Sequence, residues 1–378
     1  MTKLECPLAD SRIKLASEPP FLSIVIPTHN RPQELHLTVQ CIADQLKDGL
    51  ENRVELLISD NASGPETVDL IRSLAEQYPS VSYMLNARDE NGLFNLFSAP
   101  WRARGRFTWT FGSDDILLDG GVASVIALLE QEEPSFMTLN KQAATADLSQ
   151  VIWPSMNSVQ ARRFDTFIDL FCAMGVNQLA FMSAQIENTE AARAIDPEPY
   201  LRSDSRHPHI AAFLEKHAHK PALYSADTHL VHRLDNSTML AYHAGNFYDY
   251  GVTLPSLLLE VMRKVGAPAD LFERITGHKR ITSYDAPDIT FVDSMFENML
   301  RAIAFGLYIP GGHWRTLDQA LARDVRADRP AQFAQIWAYS QKVAQLEKAE
   351  AAAKQQLDLA KQKALETSTL FTKSTQDA

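Results

Sequence analysis

The first 140 residues of this chain alternate between two patterns. Short β-branched apolar runs, each stopped by a polar turn, are followed by segments with helical spacing. Leu22-Ser23-Ile24-Val25-Ile26 is closed by Pro27 and runs into Thr28-His29-Asn30-Arg31-Pro32. A run that is apolar at neighbouring positions suits a strand buried on both faces. Val39, Ile42, Ala43 and Leu46 then recur at helical steps, and Val54 to Ile58 leads into Ser59-Asp60-Asn61-Ala62-Ser63-Gly64. The cycle repeats with a helical face of Val68, Ile71, Ala75 and Tyr78, a strand from Val81 to Leu85, and a helix near Leu93 to Ala99. It repeats again with Phe107-Thr108-Trp109-Thr110-Phe111, the turn Gly112-Ser113-Asp114-Asp115, and a helix carrying Val122, Val125, Ile126 and Leu129. Strands alternating with helices predict right-handed crossovers and a mostly parallel sheet. Ligands of such sheets bind beyond the carboxyl ends of the strands, where these polar turns fall.

Past Ser135 the pattern loosens. Strands are predicted near Phe136 to Leu139, Gln178 to Ala184 and Leu223 to Arg233, with helices between them, and mixed α/β structure is predicted to about residue 240. Between Tyr242 and Arg323 the spacing is helical (Leu257, Leu258, Val261, Met262; Met299, Ile303), which predicts a small helical subdomain. After Pro330 there is no Gly or Pro, and Ile336, Tyr339, Val343, Leu346, Ala353, Leu357, Ala360 and Ala364 follow a heptad seam. Glu350 and the alanines weaken that seam, so a solvated single helix and an oligomerising coiled coil both remain open. The predicted organisation is a leader over 1–20, an α/β domain over 21–240, a helical subdomain over 241–330 and a helical or coiled-coil tail over 331–378.

Composition sets the classes to exclude. At 378 residues the chain is long enough for two domains. Its net charge of −11 argues against sequence-independent nucleic-acid binding, which needs Lys and Arg to displace counterions. Cys6, Cys41 and Cys172 are odd in number and in no metal or disulfide spacing, as expected for a reducing cytoplasm. No signal pattern opens the chain and no apolar run approaches the ~18 residues of a membrane span, so a soluble or peripheral protein is expected.

The polar turns hold the candidate chemistry. Asp114-Asp115 suits Mg²⁺ or Mn²⁺, which takes one or two protein carboxylates with substrate phosphates; alternatively the pair caps a helix. Asp60-Asn61 reads as an Asx turn or as a ligand-binding pair. His29-Asn30-Arg31 offers donors to a diphosphate or nucleoside. The three turns follow successive strands, so topology brings them to one edge of the sheet.

Together, Ile24-Val25-Ile26-Pro27-Thr28-His29-Asn30-Arg31-Pro32, Leu57-Ile58-Ser59-Asp60-Asn61-Ala62-Ser63 and Arg104 through Asp115 resemble the three signature blocks of family-2 glycosyltransferases, in the same order and spacing. The resemblance is close over 21–140 and looser to 240. It implies a GT-A (Rossmann-like) fold, with 21–140 as the nucleotide-sugar half and 141–240 as the acceptor half. It also implies transfer of a sugar from a nucleotide-diphosphate donor to an acceptor hydroxyl of a glycan or lipid-linked glycan, with inversion. By similarity, Asp60 meets the base, Thr28, Asn30, Arg31 and Asn61 line the nucleoside site, and Asp114 and Asp115 hold the metal. Val231-His232-Arg233 resembles a late segment facing the pyrophosphate, with His232 completing the metal shell and Arg233 neutralising phosphate. An inverting reaction needs a base; His209, at the start of a helix, and Asp204 are the candidates. Two departures stand out. Gly112 replaces the first Asp of the usual Asp-x-Asp, and no Glu-Asp pair precedes the helix beginning at Ile210. They motivate a non-catalytic assembly protein as an alternative. A nucleotidyltransferase is a third reading, although the turn Pro27 to Pro32 lacks the glycines of a phosphate loop. The Gln-x-x-Arg-Trp motif of processive relatives is absent, so a non-processive enzyme is expected, cytoplasmic or peripheral at the inner face of the membrane.

Overall fold

The computed structural model describes residues 4, 6–14, 18–47, 49–155, 160–234, 249, 253–268 and 271. The predicted alternation becomes β2 (Leu22–Thr28), α1 (Pro32–Ala43), β3 (Val54–Asp60), α2 (Pro65–Gln77), β4 (Val81–Asn86), α3 (Gly92–Arg102) and β5 (Phe107–Thr110). β2 pairs in parallel with both β3 and β5, and β3 with β4. All seven residues of β3 are buried, as the uninterrupted apolar run requires of a strand covered on both faces. In the β2–β3 register Thr28 lies opposite Asp60, so two polar loops leave the sheet side by side.

After β6 (Ile116–Leu117) and α4 (Gly121–Glu132), the sheet continues through β7 (Phe136–Thr145), β8 (Val151–Trp153), β9 (Arg162–Phe164), β10 (Gln185–Asn188) and β11 (Ala222–Leu234). With β1 (Leu8–Arg12) it forms one eleven-stranded mixed sheet in the order β1-β4-β3-β2-β5-β10-β7-β11-β6, with β8 beside β7 and β9 beside β11. Two apolar layers cover it. Leu35, Val39 and Ile42 of α1, Ile71 and Leu74 of α2, and Val122 and Leu129 of α4 pack in one. The other joins α5 (Phe167–Ala180), α8 (Pro208–His217) and α9 (Leu254–Lys264) through Phe171, Ile210, Phe213, Leu258 and Val261. Each fully buried large side chain contributes roughly 1.5–3 kcal/mol relative to exposure.

Two expectations change. The leader contains β1, an edge strand antiparallel to β4 whose Asp10 accepts from Arg72 and Tyr83. Its exposed side chains gave no hydropathy signal, because an edge strand needs only backbone pairing. The strand predicted at Gln178 to Ala184 lies instead at Gln185–Asn188. Helix α5 runs to Ala180, and a short turn, Met182–Ala184, precedes the strand. β10 sits centrally between β5 and β7 yet reads Gln-Ile-Glu-Asn, and buried polar partners outweigh its lack of hydrophobicity. Of the predicted helical subdomain, Leu254–Lys264 is described; the rest of 241–330 and the tail at 331–378 lie outside the described residues.

Candidate active site

The loops after β2, β3 and β5, with α3 and the segment before α8, enclose a cleft of about 990 Å³. Thr28, His29, Arg31, Asn61, Asp89, Asn95, Gly112, Asp114, Ser205 and Arg206 are among the residues that line it.

The first two loops hold each other. Asn30 (φ 53°) accepts from the Gly64 amide at 2.8 Å and donates its own amide to Ser63 Oγ at 2.8 Å. His29 Nδ1 lies 3.0 Å from the Asn61 carbonyl and its Nε2 2.9 Å from Asn30 Nδ2, which fits an Nδ1–H tautomer. Asp60 is fully buried; its Oδ2 accepts from the Ser63 amide at 3.0 Å, while Oδ1 has no partner. Thr28 Oγ1, from the neighbouring register position, is also buried and unpartnered. Buried polar atoms are nearly always paired, so the open Thr28 hydroxyl in the cleft lining, with Asp60 beside it in the register, is a place where a ligand could supply a hydrogen bond. Asn61 donates to Asp89 at 2.6 Å and accepts from Asn86 at 3.0 Å. Arg102 braces the floor from below, donating to Ser59 Oγ at 2.5 Å and Asn86 Oδ1 at 2.6 Å.

The third loop carries the acidic pair. Asp114, 44% exposed, accepts from Arg31 Nη1 at 2.5 Å. Burial and the adjacent Asp115 raise its pKa, with Arg31 opposing. Asp115 is 3% exposed; its Oδ2 accepts from Ser183 Oγ at 2.5 Å and its Oδ1 lies 3.2 Å from His232 Nδ1. Thr38 of α1 donates to the backbone carbonyls of Ser113 (3.0 Å) and Asp115 (2.8 Å). Arg233 Nε donates to the Asp114 carbonyl at 2.7 Å. Lys141, buried beneath, lies 4.6 Å from the Phe181 ring, and burial lowers its pKa to about 8 against the pull of Asp115. Sequence reasoning missed Lys141, Ser183 and Arg102, which no motif contains.

The departure at residue 112 has a steric cause. A Cβ there would sit 2.9 Å from both Asp115 Oδ2 and Ser183 Oγ, and 3.2 Å from Asp114 Oδ1. A side chain at residue 112 would therefore displace the tips of Asp115 and Ser183 from their present contact. The donor set suits a hard divalent cation. Two carboxylates adjoin at a point where burial first, and the charge of Asp115 second, raise the proton affinity of Asp114, and His232 lies beside Asp115. Asp114 is the member of the pair that lines the cleft. Among the described residues no group of three His, Cys, Asp or Glu side chains converges in the arrangement observed, since Arg31 sits on Asp114.

The base candidates differ in access. His209, the second residue of α8, is 5% exposed; its Nε2 lies 3.3 Å from the Ala180 carbonyl, its Nδ1 is unpartnered, and burial lowers its pKa to about 3. It is not part of the cleft lining. Asp204 is exposed and directly precedes Ser205 and Arg206, which line the cleft. Neighbouring His207 is buried against Asp249, with Nδ1 2.6 Å from Oδ2.

A mixed α/β sheet with an acidic, asparagine-rich cleft at the carboxyl ends of its parallel strands defines the class. Residues 23–185 match the family described as glycosyl transferase family 2. Abequosyltransferase RfbV of Salmonella typhimurium is 29% identical over 132 residues, covering 35% of this chain and 39% of that protein. GalNAc(5)-diNAcBac-PP-undecaprenol beta-1,3-glucosyltransferase of Campylobacter jejuni is 28% identical over 109 residues, covering 28% of this chain and 34% of that protein. The matches thus span well under half the length of either relative. The structure of S. aureus TarS 1-349 shares 11% identity at a TM-score of 0.49, covering 86% of this chain and 91% of that one. Among the described residues no helix is long and apolar enough to cross a membrane.

Proposed function

We propose that the chain is a glycosyltransferase that moves a sugar from a nucleotide-diphosphate donor to a hydroxyl of a glycan or lipid-linked glycan, with inversion. The observation that carries this reading is the open Thr28 Oγ1 in the lining of a cleft that Asp114 also lines, with the unpartnered Asp60 Oδ1 beside Thr28 in the strand register. A nucleoside base offers N–H groups to such a floor, and a diphosphate then reaches the acidic pair. The match to the family and the names of the two relatives, one of which refers to an undecaprenol-linked glycan, support the donor and acceptor classes.

In this reading Asp60 and Thr28 orient the nucleoside, and Arg31, Arg206 and Arg233 face the charge that develops on the leaving diphosphate. Asp114, with Asp115 and His232 behind it, would hold Mg²⁺ or Mn²⁺, which when bound supplies Lewis-acid stabilisation to the leaving group. Asp204, by its exposure beside the cleft, takes the proton from the acceptor hydroxyl in preference to the enclosed His209. A thermal-shift screen of nucleotide sugars with and without Mn²⁺ tests the reading, because a ligand that binds the native state raises its melting temperature. A shift of several degrees with one donor, followed by an inverted anomeric product in NMR, is expected. No shift and no nucleoside diphosphate released with any donor would overturn it.

A further inference from the structure

We infer that Ser183 is a positioning residue for the acidic pair, its hydroxyl fixing the Asp115 carboxylate beside Asp114. The inference rests on the transfer proposed for this cleft. Ser183 lies in the turn Met182–Ala184 that leads into β10, and it is 1% exposed. Its Oγ accepts from the Gly112 amide at 2.8 Å and donates to Asp115 Oδ2 at 2.5 Å. One hydroxyl therefore spends both its donor and its acceptor capacity on the two ends of a single four-residue loop. The turn cannot drift away, because Trp109 Nε1 of β5, itself fully buried, donates to the Ser183 carbonyl at 2.7 Å.

Glycine at 112 leaves room for this contact: a Cβ there would lie 2.9 Å from both Ser183 Oγ and Asp115 Oδ2, so one of the two would have to move. With Oδ2 on Ser183 and Oδ1 beside His232, Asp115 is gripped from two elements that are distant in sequence. A carboxylate so held keeps one rotamer beside Asp114, whose own carboxylate is held by Arg31. Groups that orient the residues around a reacting centre typically change activity about 10–100-fold when removed. Thr38 independently anchors the loop backbone at the Ser113 and Asp115 carbonyls, so Ser183→Ala removes the side-chain restraint while the loop keeps its course.

The full chain, its Ser183→Ala, Ser183→Thr and Asp115→Asn variants, and the double variant Ser183→Ala/Asp115→Asn are compared with the donor identified by the screen above. Ser183→Ala is expected to lower kcat about 10–100-fold with donor KM changed less than about threefold and the melting temperature within a few degrees. Ser183→Thr, which keeps the hydroxyl, should recover part of the loss. In the Asp115→Asn background the same Ser183→Ala change should cost less than about twofold, since residues acting through one another are not additive. Wild-type kcat in Ser183→Ala, full multiplication of the two losses, or a loss that only follows melting temperature would overturn the assignment. A crystal structure of Ser183→Ala gives a readout independent of turnover: Asp115 in a second rotamer is expected, and an unmoved Asp115 overturns the role. If Ser183→Ala does not fold, Ser183→Cys, with a poorer donor, takes the same measurements. A wild-type chain that turns over no nucleotide sugar sinks the transfer reading, while the rotamer still decides the part played by Ser183.

Discussion

The ends of β2 and β3 and the Glu187 cluster of β10 and α8 use buried polar groups for opposite purposes. At the first, Thr28 Oγ1, in the cleft lining, and Asp60 Oδ1, beside it in the strand register, have no partners. At the second, Glu187 of β10 accepts from Lys216 at 2.9 and 3.2 Å and from His217 Nε2 at 2.9 Å, while Ser135 Oγ meets His217 Nδ1 at 2.7 Å. Glu187, Lys216 and His217 are all buried. Burial alone would push the Glu187 carboxyl up, but Lys216 and His217 outweigh it and hold its pKa near 2. Burial also lowers the pKa of His217, so the ring is neutral and the ion pair proper is Glu187 with Lys216. Open atoms occur in both halves of the fold, on Thr28 and Asp60 in the first and on Gln185, His209, Tyr224 and His229 in the second; what sets the Glu187 cluster apart is that its ionic groups are paired with one another, tying α8 to the sheet.

The largest effect should come from breaking the paired side. Lys216→Met leaves Glu187 buried without its ammonium partner, which typically costs about 3–5 kcal/mol. Urea denaturation is expected to show that loss, and replacing Glu187 by Gln in the same chain should recover much of it. If Lys216→Met costs under about 1 kcal/mol, the cluster is not what anchors α8.

The unpaired side should answer in binding instead of stability. In Asp60→Asn the amide oxygen can still accept from the Ser63 amide, while an NH₂ takes the place of the orphaned oxygen. Donor affinity should fall about 10–100-fold, the worth of a hydrogen bond to a charged group, with unfolding free energy changed by less than about 1 kcal/mol. Calorimetry and urea titration on the same sample separate the two. Equal damage to folding would erase the contrast between the halves.

This contrast also explains what the sequence could disclose. The parallel strands β2 to β5 and the turns after them were legible because apolar runs and polar stops coincide there, and topology puts those turns on one edge. β10 was misplaced by several residues because Gln185 and Glu187 look like surface residues until Gln178, Lys216 and His217 are seen around them. Ser183 and Lys141 reach the acidic pair only through pairing of distant segments, which no local pattern encodes. Gly112, read as a lost carboxylate, also leaves the space in which Ser183 meets Asp115. Gly112→Ala should accordingly destabilise by about 1–3 kcal/mol, the usual cost of overpacking, and lower turnover by displacing Asp115. An alanine tolerated without either effect would show that the loop yields more easily than its contacts imply.

The smallest test concerns acid. His209 is held neutral by burial, with its pKa lowered to about 3 from an ordinary 6.5. A lowered histidine pKa means that the unfolded chain takes up the proton first as pH falls, so stability contributed by His209 is complete above pH 6.5 and is lost progressively below it. Glu187, lowered to about 2 from 4.5, loses its contribution only below pH 4.5. In the interval from pH 6.5 to 4.5 His209 therefore contributes a slope of about 1.4 kcal/mol per pH unit, and His217, also lowered by burial, acts in the same direction. His209→Gln should flatten part of that slope in urea midpoints measured at pH 7 and pH 5.5, and its kcat at pH 7 should stay within about twofold of wild type. A rate collapse in His209→Gln with an unchanged slope would mean that the ring meets the acceptor after all, and the base would pass from Asp204 to His209.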